Sequence, residues 1–131
     1  MITDVIREFL QKPLTARMST IDPHGYPHTV PVWFAPDGDE LVVISVSTTQ
    51  KVAHLRVNPK GAITIGGDAD DGGGYLLKGD FSLEADPDDA WVKRMVYRYE
   101  APEQAEKDIA EWADLDIIVL RLKPTAVLKV M

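Results

Sequence analysis

Residues 41–59, LVVISVSTTQKVAHLRVNP, decide the fold. An apolar run of strand formers passes through three consecutive hydroxyl residues, Ser47, Thr48 and Thr49, into a helical pattern with Lys51 in its first turn. Asn58-Pro59 ends that helix, because the residue before a proline avoids helical geometry. A helix N-terminus is the positive end of the backbone dipole, so a cation placed there is mildly unfavourable. It becomes favourable when an anion, most often a phosphate, sits among the free N–H groups and the hydroxyls. A second reading explains the same letters. Ser47 and Gln50 have the spacing of a capping box, in which each side chain satisfies the other's backbone N–H, and first-turn lysines are common on solvated helices.

Upstream of this junction, residues 28–34 alternate. Val30, Val32 and Phe34 face one way, and Thr29, Pro31 and Trp33 face the other. Pro31 cannot donate to a ladder, so this strand lies at a sheet edge or carries a bulge. Residues 15–21 form the preceding strand, reached through the turn Asp22-Pro23-His24-Gly25. Pro36-Asp37-Gly38-Asp39 is a second hairpin turn into residues 41–46, whose Val/Ile content points to burial on both faces. An N-terminal helix buries Ile2, Val5, Ile6, Phe9 and Leu10 and stops at Pro13.

Downstream, residues 62–65 and 75–84 read as strands across the loop 66–74. Asp86-Pro87-Asp88-Asp89 starts a helix with the stripe Val92, Met95, Val96, Tyr99. Ala101-Pro102 breaks it, and Ala105, Ile109 and Trp112 mark another short helix. Residues 116–122 are a sixth strand. Residues 125–130 extend it past Pro124 or pair separately. Six or seven strands joined mainly by hairpins give a mainly β domain with flanking helices, an antiparallel sheet closed into a small barrel.

The 131 residues make one domain, 1–131, with 45% apolar and 27% charged residues, the balance of a globular protein. Absence of cysteine removes disulfides, thiolate catalysis and Cys-type metal sites. The net charge of −7, without a basic stripe, argues against nucleic acid. No apolar run approaches a membrane span, and MITDVIREFLQK lacks the pattern of a secretion signal, so the expected location is cytoplasmic. His24, His28 and His54 do not have metal-ligand spacing, and the acidic loop at 67–72 lacks the closing Glu of a calcium loop. GxSxG, GxxxxGK[ST] and GxGxxG are all absent. Trp33, Trp91 and Trp112 read as core or interface residues. The two strands before STTQK nonetheless present backbone groups to a flat heterocycle, with Pro31 or Trp33 as an apolar wall and the hydroxyls and Lys51 holding a phosphate tail.

The series through residues 15–65 resembles the flavin-binding split-barrel family of pyridoxamine 5'-phosphate oxidases and deazaflavin-dependent reductases. Strand, G-x-P turn, PVWF strand, hairpin, apolar strand and hydroxyl-x-x-K helix ending in NP follow in the family's order. The resemblance implies a split barrel and a homodimer with the cofactor at the subunit interface. It implies FMN, or alternatively the 8-hydroxy-5-deazaflavin coenzyme, as cofactor, and hydride transfer through flavin N5 to a small molecule. Pro31, Val32 and Trp33 are then expected along the isoalloxazine ring. Ser45, Val46, Thr48, Thr49, Gln50 and Lys51 are expected around the ribityl phosphate. A non-catalytic flavin carrier or sensor and a haem protein are the rival readings, and no catalytic acid or base stands out. Two departures qualify the match. Gln50 stands where many relatives carry arginine, leaving one cation fewer, which Arg17 or Lys78 of a partner chain could replace. The final residues, LRLKPTAVLKVM, lack the basic segment that holds the substrate phosphate in vitamin B6 oxidation. Arg56 and Lys60 are the further cations that a deazaflavin tail would need.

Overall fold

The computed structural model describes residues 1–130. Helix α1 (Asp4–Phe9) precedes four strands, β1 (Ala16–Ile21), β2 (Pro27–Val32), β3 (Ala35–Asp37) and β4 (Glu40–Val46). Then come α2 (Gln50–Val57), β5 (Lys60–Gly66), β6 (Gly74–Glu84), a 3-10 turn at Pro87–Asp89, α3 (Ala90–Tyr99), α4 (Pro102–Glu111) and β7 (Ile117–Lys129). All seven strands pair antiparallel in the order β2-β1-β5-β6-β7-β4-β3.

The two edges of this sheet, β2 and β3, are separated in the chain by Trp33 and Phe34 alone. Three Cα steps reach about 11 Å at most. The sheet therefore rolls until its edges approach each other, yet no hydrogen bonds join them. This is a split barrel rather than one closed by pairing, and β2 supplies the physical reason. Backbone N–H groups of residues 27, 29 and 31 point to one side of the strand. Prolines at 27 and 31 cannot donate to β1, so that side is the free edge and it lacks two of its three donors. Pro31 thus lies on an edge strand, as its sequence context required.

The roll encloses Met18, Leu41, Val43, Ile63, Leu77, Leu120 and Leu122, all buried. Phe9 and Leu10 from the α1 end and Val52 and Leu55 from α2 pack onto this core. On the outer face, Val42 and Val119 lie under Met95, while Val92 and Val96 of α3 meet Ala105 of α4. Val42 and Val43 of β4 are thus buried on opposite faces, which accounts for the continuous apolar run. Each such side chain contributes roughly 1.5–3 kcal/mol when withdrawn from water.

Two elements refine the sequence reading. Residues 35–37 pair with β4 as a short strand, where the sequence placed the start of a turn, and Gly38 turns at φ +61°. Residues 125–129 continue β7 through Pro124, with one extra residue in β7 opposite Lys78/Gly79. Gly79 is required there, because a Cβ would collide with the Lys123 carbonyl. At the start of α3, the Asp86 carboxylate accepts from the N–H groups of Trp91 (2.9 Å) and Val92 (3.0 Å). It thereby satisfies donors that a helix start leaves free.

Candidate functional site

The junction between β4 and α2 is tied down by backbone and hydroxyl groups. Ser47 N–H donates to Asp116 O (2.9 Å), and Thr49 N–H donates to Val46 O (3.3 Å). Thr49 is the N-cap of α2, but its side chain makes no capping bond. Its Oγ1 meets Ser45 Oγ at 2.9 Å, and Ser45 Oγ donates to Val46 O (2.9 Å). The Ser47/Gln50 capping box therefore does not form. Fastening of Ser47 to Asp116 delays the helix start to Gln50, two residues later than the box requires. The N–H groups of Gln50, Lys51 and Val52 have no intrahelical acceptor by position and no side-chain cap.

Lys51 is half-buried at this uncapped terminus, and burial lowers its pKa from the ordinary lysine value. Among the described residues no carboxylate forms an ion pair with it. A desolvated ammonium without a counter-ion is unfavourable, and an anion at the same spot relieves that cost.

Lys51 lines a cavity of about 670 Å³ together with Pro31, Val32, Trp33, Ser45 and Val46. Six of the nine residues singled out from sequence thus meet around one volume. Thr48 and Gln50 are exposed and Thr49 is engaged by Ser45; these three do not line the cavity. The Trp33 ring stacks on Tyr99 with centroids 4.8 Å apart and planes at 4°. Tyr99 Oη donates to Leu14 O (2.7 Å) and accepts from Phe34 N–H (3.1 Å), and burial raises its pKa. Trp33 is held flat by a tyrosine whose hydroxyl is fastened to the backbone of both Leu14 and Phe34.

The remaining lining comes from Thr15, Ile44, Glu100, Trp112, Leu115 and Ile117. Sequence reading missed these as site residues, because Trp112 carries an ordinary helix-stripe signal and Glu100 an ordinary charged one. Glu100 follows the last turn of α3 just before the Ala101-Pro102 break, so its position facing α4 depends on the angle between the two helices. Its carboxyl pKa is raised, first by hydrogen bonding to Asp108 and then by burial and the neighbouring charge. Its Oε2 is buried without a hydrogen-bond partner.

The other cations considered from sequence lie elsewhere. Arg17 and Arg56 are exposed and off the cavity, and Lys60 and Lys78 border a separate cleft of about 460 Å³. His54 is buried, with Nδ1 2.8 Å from Thr20 Oγ1 and its ring edge-on to His28 at 5.0 Å. None of the three histidines lines the cavity.

Solved structures share this fold. An F420 reductase is 23% identical at a TM-score of 0.75, covering 93% of this chain and 94% of that one. A pyridoxamine 5'-phosphate oxidase-like protein from Listeria innocua is 20% identical at a TM-score of 0.71, covering 97% and 96%. The haem storage protein HutZ from Vibrio cholerae is 19% identical at a TM-score of 0.71, covering 98% and 94%. No curated protein matches the sequence. The family model described as pyridoxamine 5'-phosphate oxidase matches residues 2–130, nearly the whole chain, and with the fold this places the protein in the pyridoxamine 5'-phosphate oxidase family.

Proposed function

We propose that the chain binds FMN and acts as a flavin-dependent oxidoreductase on a small molecule, as a homodimer in the cytoplasm. The observation that carries this reading is the half-buried, unpaired Lys51 beside the uncapped start of α2, at the wall of a cavity that also holds the stacked Trp33 ring. The residues present fit the cofactor. Lys51 and the N–H groups of Gln50 and Lys51 would hold its phosphate, with Thr48 at the exposed rim. Pro31, Val32 and Trp33 would flank the isoalloxazine, and Ser45 and Val46 the ribityl chain. A bound flavin supplies hydride chemistry at N5. The protein's part is to fix the ring against Trp33, neutralise the phosphate and exclude water with Ile44, Trp112 and Ile117. Pro31, Thr15 and Leu115 are exposed on the cavity lining, which supports a second copy of the chain as its cover.

The deazaflavin coenzyme is the second reading, supported by the structural likeness to an F420 reductase. Its longer anionic tail needs cations beyond Lys51, and the cavity lining offers none among the described residues. Haem has weaker support, since none of the histidines lines the cavity. The absorption spectrum of the purified protein, followed by parallel titrations with FMN and the deazaflavin, decides among these readings. A flavin spectrum or tighter FMN binding supports the proposal; tighter deazaflavin binding or a Soret band overturns it. Reduction of bound FMN by NADH or NADPH, then oxidation by a panel of quinones and enones, separates enzyme from carrier.

A further inference from the structure

Apart from the cavity at Lys51, the fold gathers basic side chains in a second place. A cleft of about 470 Å³ lies between the α1 end, the β3 hairpin and α3. Arg7 and Gln11 line it from α1 and the segment just after it, and Arg94 and Arg98 line it from α3. It shares no lining residue with the cavity at Lys51. Among the described residues no acidic side chain lines it, although the chain as a whole carries a net charge of −7. Like charges lining one cleft repel one another, and a bound anion relieves that repulsion.

The three guanidiniums are held in different ways. Arg98 donates Nε to Phe34 O (2.9 Å), Nη2 to Leu10 O (2.9 Å) and Lys12 O (3.0 Å), and Nη1 to Gln11 O (3.3 Å). Three of these carbonyls close the end of α1, so the side chain is fixed while its charge meets only dipoles. The Arg94 guanidinium lies over the Trp91 ring at 3.9 Å, a contact that restrains it without neutralising it. Neither Arg94 nor Arg98 forms an ion pair among the described residues. Arg7 pairs with Asp39 at 2.9 Å and donates to Gly38 O at 3.3 Å, and the exposure of both partners makes that bridge weak.

We propose that this cleft is a second anion site, taking a phosphoryl group either free or as the monoester of a small molecule. Arg98 is its fixed floor, and Arg7 and Arg94 flank the bound group. A carboxylate is satisfied by one guanidinium through a bidentate pair. Three guanidiniums from two separate helices match instead a group with close to two negative charges and three terminal oxygens. Arginine does not deprotonate in a protein, so the site stays cationic at every working pH. Ala35 and Pro36 give the cleft an apolar side for the carbon skeleton of an ester. The site is independent of the flavin reading, since neither Lys51 nor α2 contributes to it.

The test titrates the full-length protein with inorganic phosphate and, separately, with glycerol phosphate at constant ionic strength, following the arginine Nε–H signals by NMR. Wild type, Lys51→Ala, Arg7→Gln, Arg94→Gln and Arg94→Lys are compared, with melting curves to show that each is folded. Lys51→Ala removes the phosphate site proposed at α2 and leaves the cleft unaltered. In that variant the signals of Arg7, Arg94 and Arg98 should move together along one saturating curve. Arg7→Gln and Arg94→Gln should each weaken this binding severalfold, and Arg94→Lys, which keeps the charge, should weaken it less. Glycerol phosphate binding at least as tightly as phosphate supports an ester as the ligand, and binding of phosphate alone supports the free ion. Absence of saturation in Lys51→Ala, an equal response to chloride, or unchanged affinity in both glutamine variants overturns the proposal. Saturation in wild type that disappears in Lys51→Ala overturns it too, and leaves the flavin phosphate site standing.

Discussion

At the scale of single residues, Lys51 carries a conflict between stability and binding. Its ammonium is partly desolvated and unpaired, and its pKa is lowered for that reason. A lysine whose folded pKa lies below its unfolded value binds fewer protons when folded, so this group's cost should ease as pH rises through the lowered pKa toward about 10.4. At neutral pH the cost is present. Lys51→Met should therefore raise the melting temperature of the ligand-free protein slightly, by the equivalent of about 1 kcal/mol or less, given the partial exposure. Differential scanning calorimetry checks this; a clearly lower melting temperature would make Lys51 a structural residue. The lysine itself was legible from sequence because cation, hydroxyls and helix start lie within a few residues of one another. Glu100 was not, since its place on the cavity wall depends on several elements far apart in the chain.

At the scale of elements, the start of each helix and the crossing of β6 with β7 are the points to probe. Asp86 satisfies two donors at the start of α3, so Asp86→Ala should cost about 0.5–2 kcal/mol in urea unfolding. Since α3 carries Tyr99, on which Trp33 stacks, the same change should loosen the Trp33 ring and alter the protein's tryptophan fluorescence. Gly79→Ala places a methyl group against the Lys123 carbonyl and should cost roughly 1–3 kcal/mol or more. Unchanged stability there would mean that the bulge yields readily. The junction at 46–50 was read correctly as strand to helix, but the capping box weighed as its second reading does not form. Local spacing favoured Ser47 with Gln50, whereas the distant carbonyl of Asp116 claims the Ser47 backbone and moves the helix start. Such long-range competition is invisible in a local window. The passage of β7 through Pro124 was one of two readings of residues 125–130, and a local window could not choose between them for a related reason: inside the sheet the proline is accommodated by a bulge opposite Gly79 on another strand.

At the scale of the whole molecule, the sequence was most informative about strand count and order of elements, because hairpin turns and alternation are local signals. Closure was harder to read. It depends on both edges of the sheet, and Pro27 with Pro31 remove donors from one of them. The open seam passes beside Trp33, so the site is a product of incomplete closure. Arg121 ties the β3 edge to its neighbouring strands, with Nη1 2.7 Å from Asp37 and 3.3 Å from Glu40, and Nε 3.1 Å from Glu84. These bonds link β3, β4, β6 and β7, and Arg121→Met should be destabilising even though it adds apolar surface, because three carboxylates lose their cation. If a second copy covers the cavity, FMN should also shift the sedimentation profile toward a dimer at low protein concentration.

The central claim is that a phosphate sits at Lys51, and it is tested most directly by titrating wild type and Lys51→Ala with FMN and with riboflavin side by side. A charge-assisted hydrogen bond of about 1.5–3 kcal/mol predicts that wild type prefers FMN by roughly 10- to 100-fold, and that Lys51→Ala loses most of this preference while riboflavin binding stays nearly unchanged. Equal affinities of wild type for the two flavins, or equal losses for both in Lys51→Ala, would contradict the account.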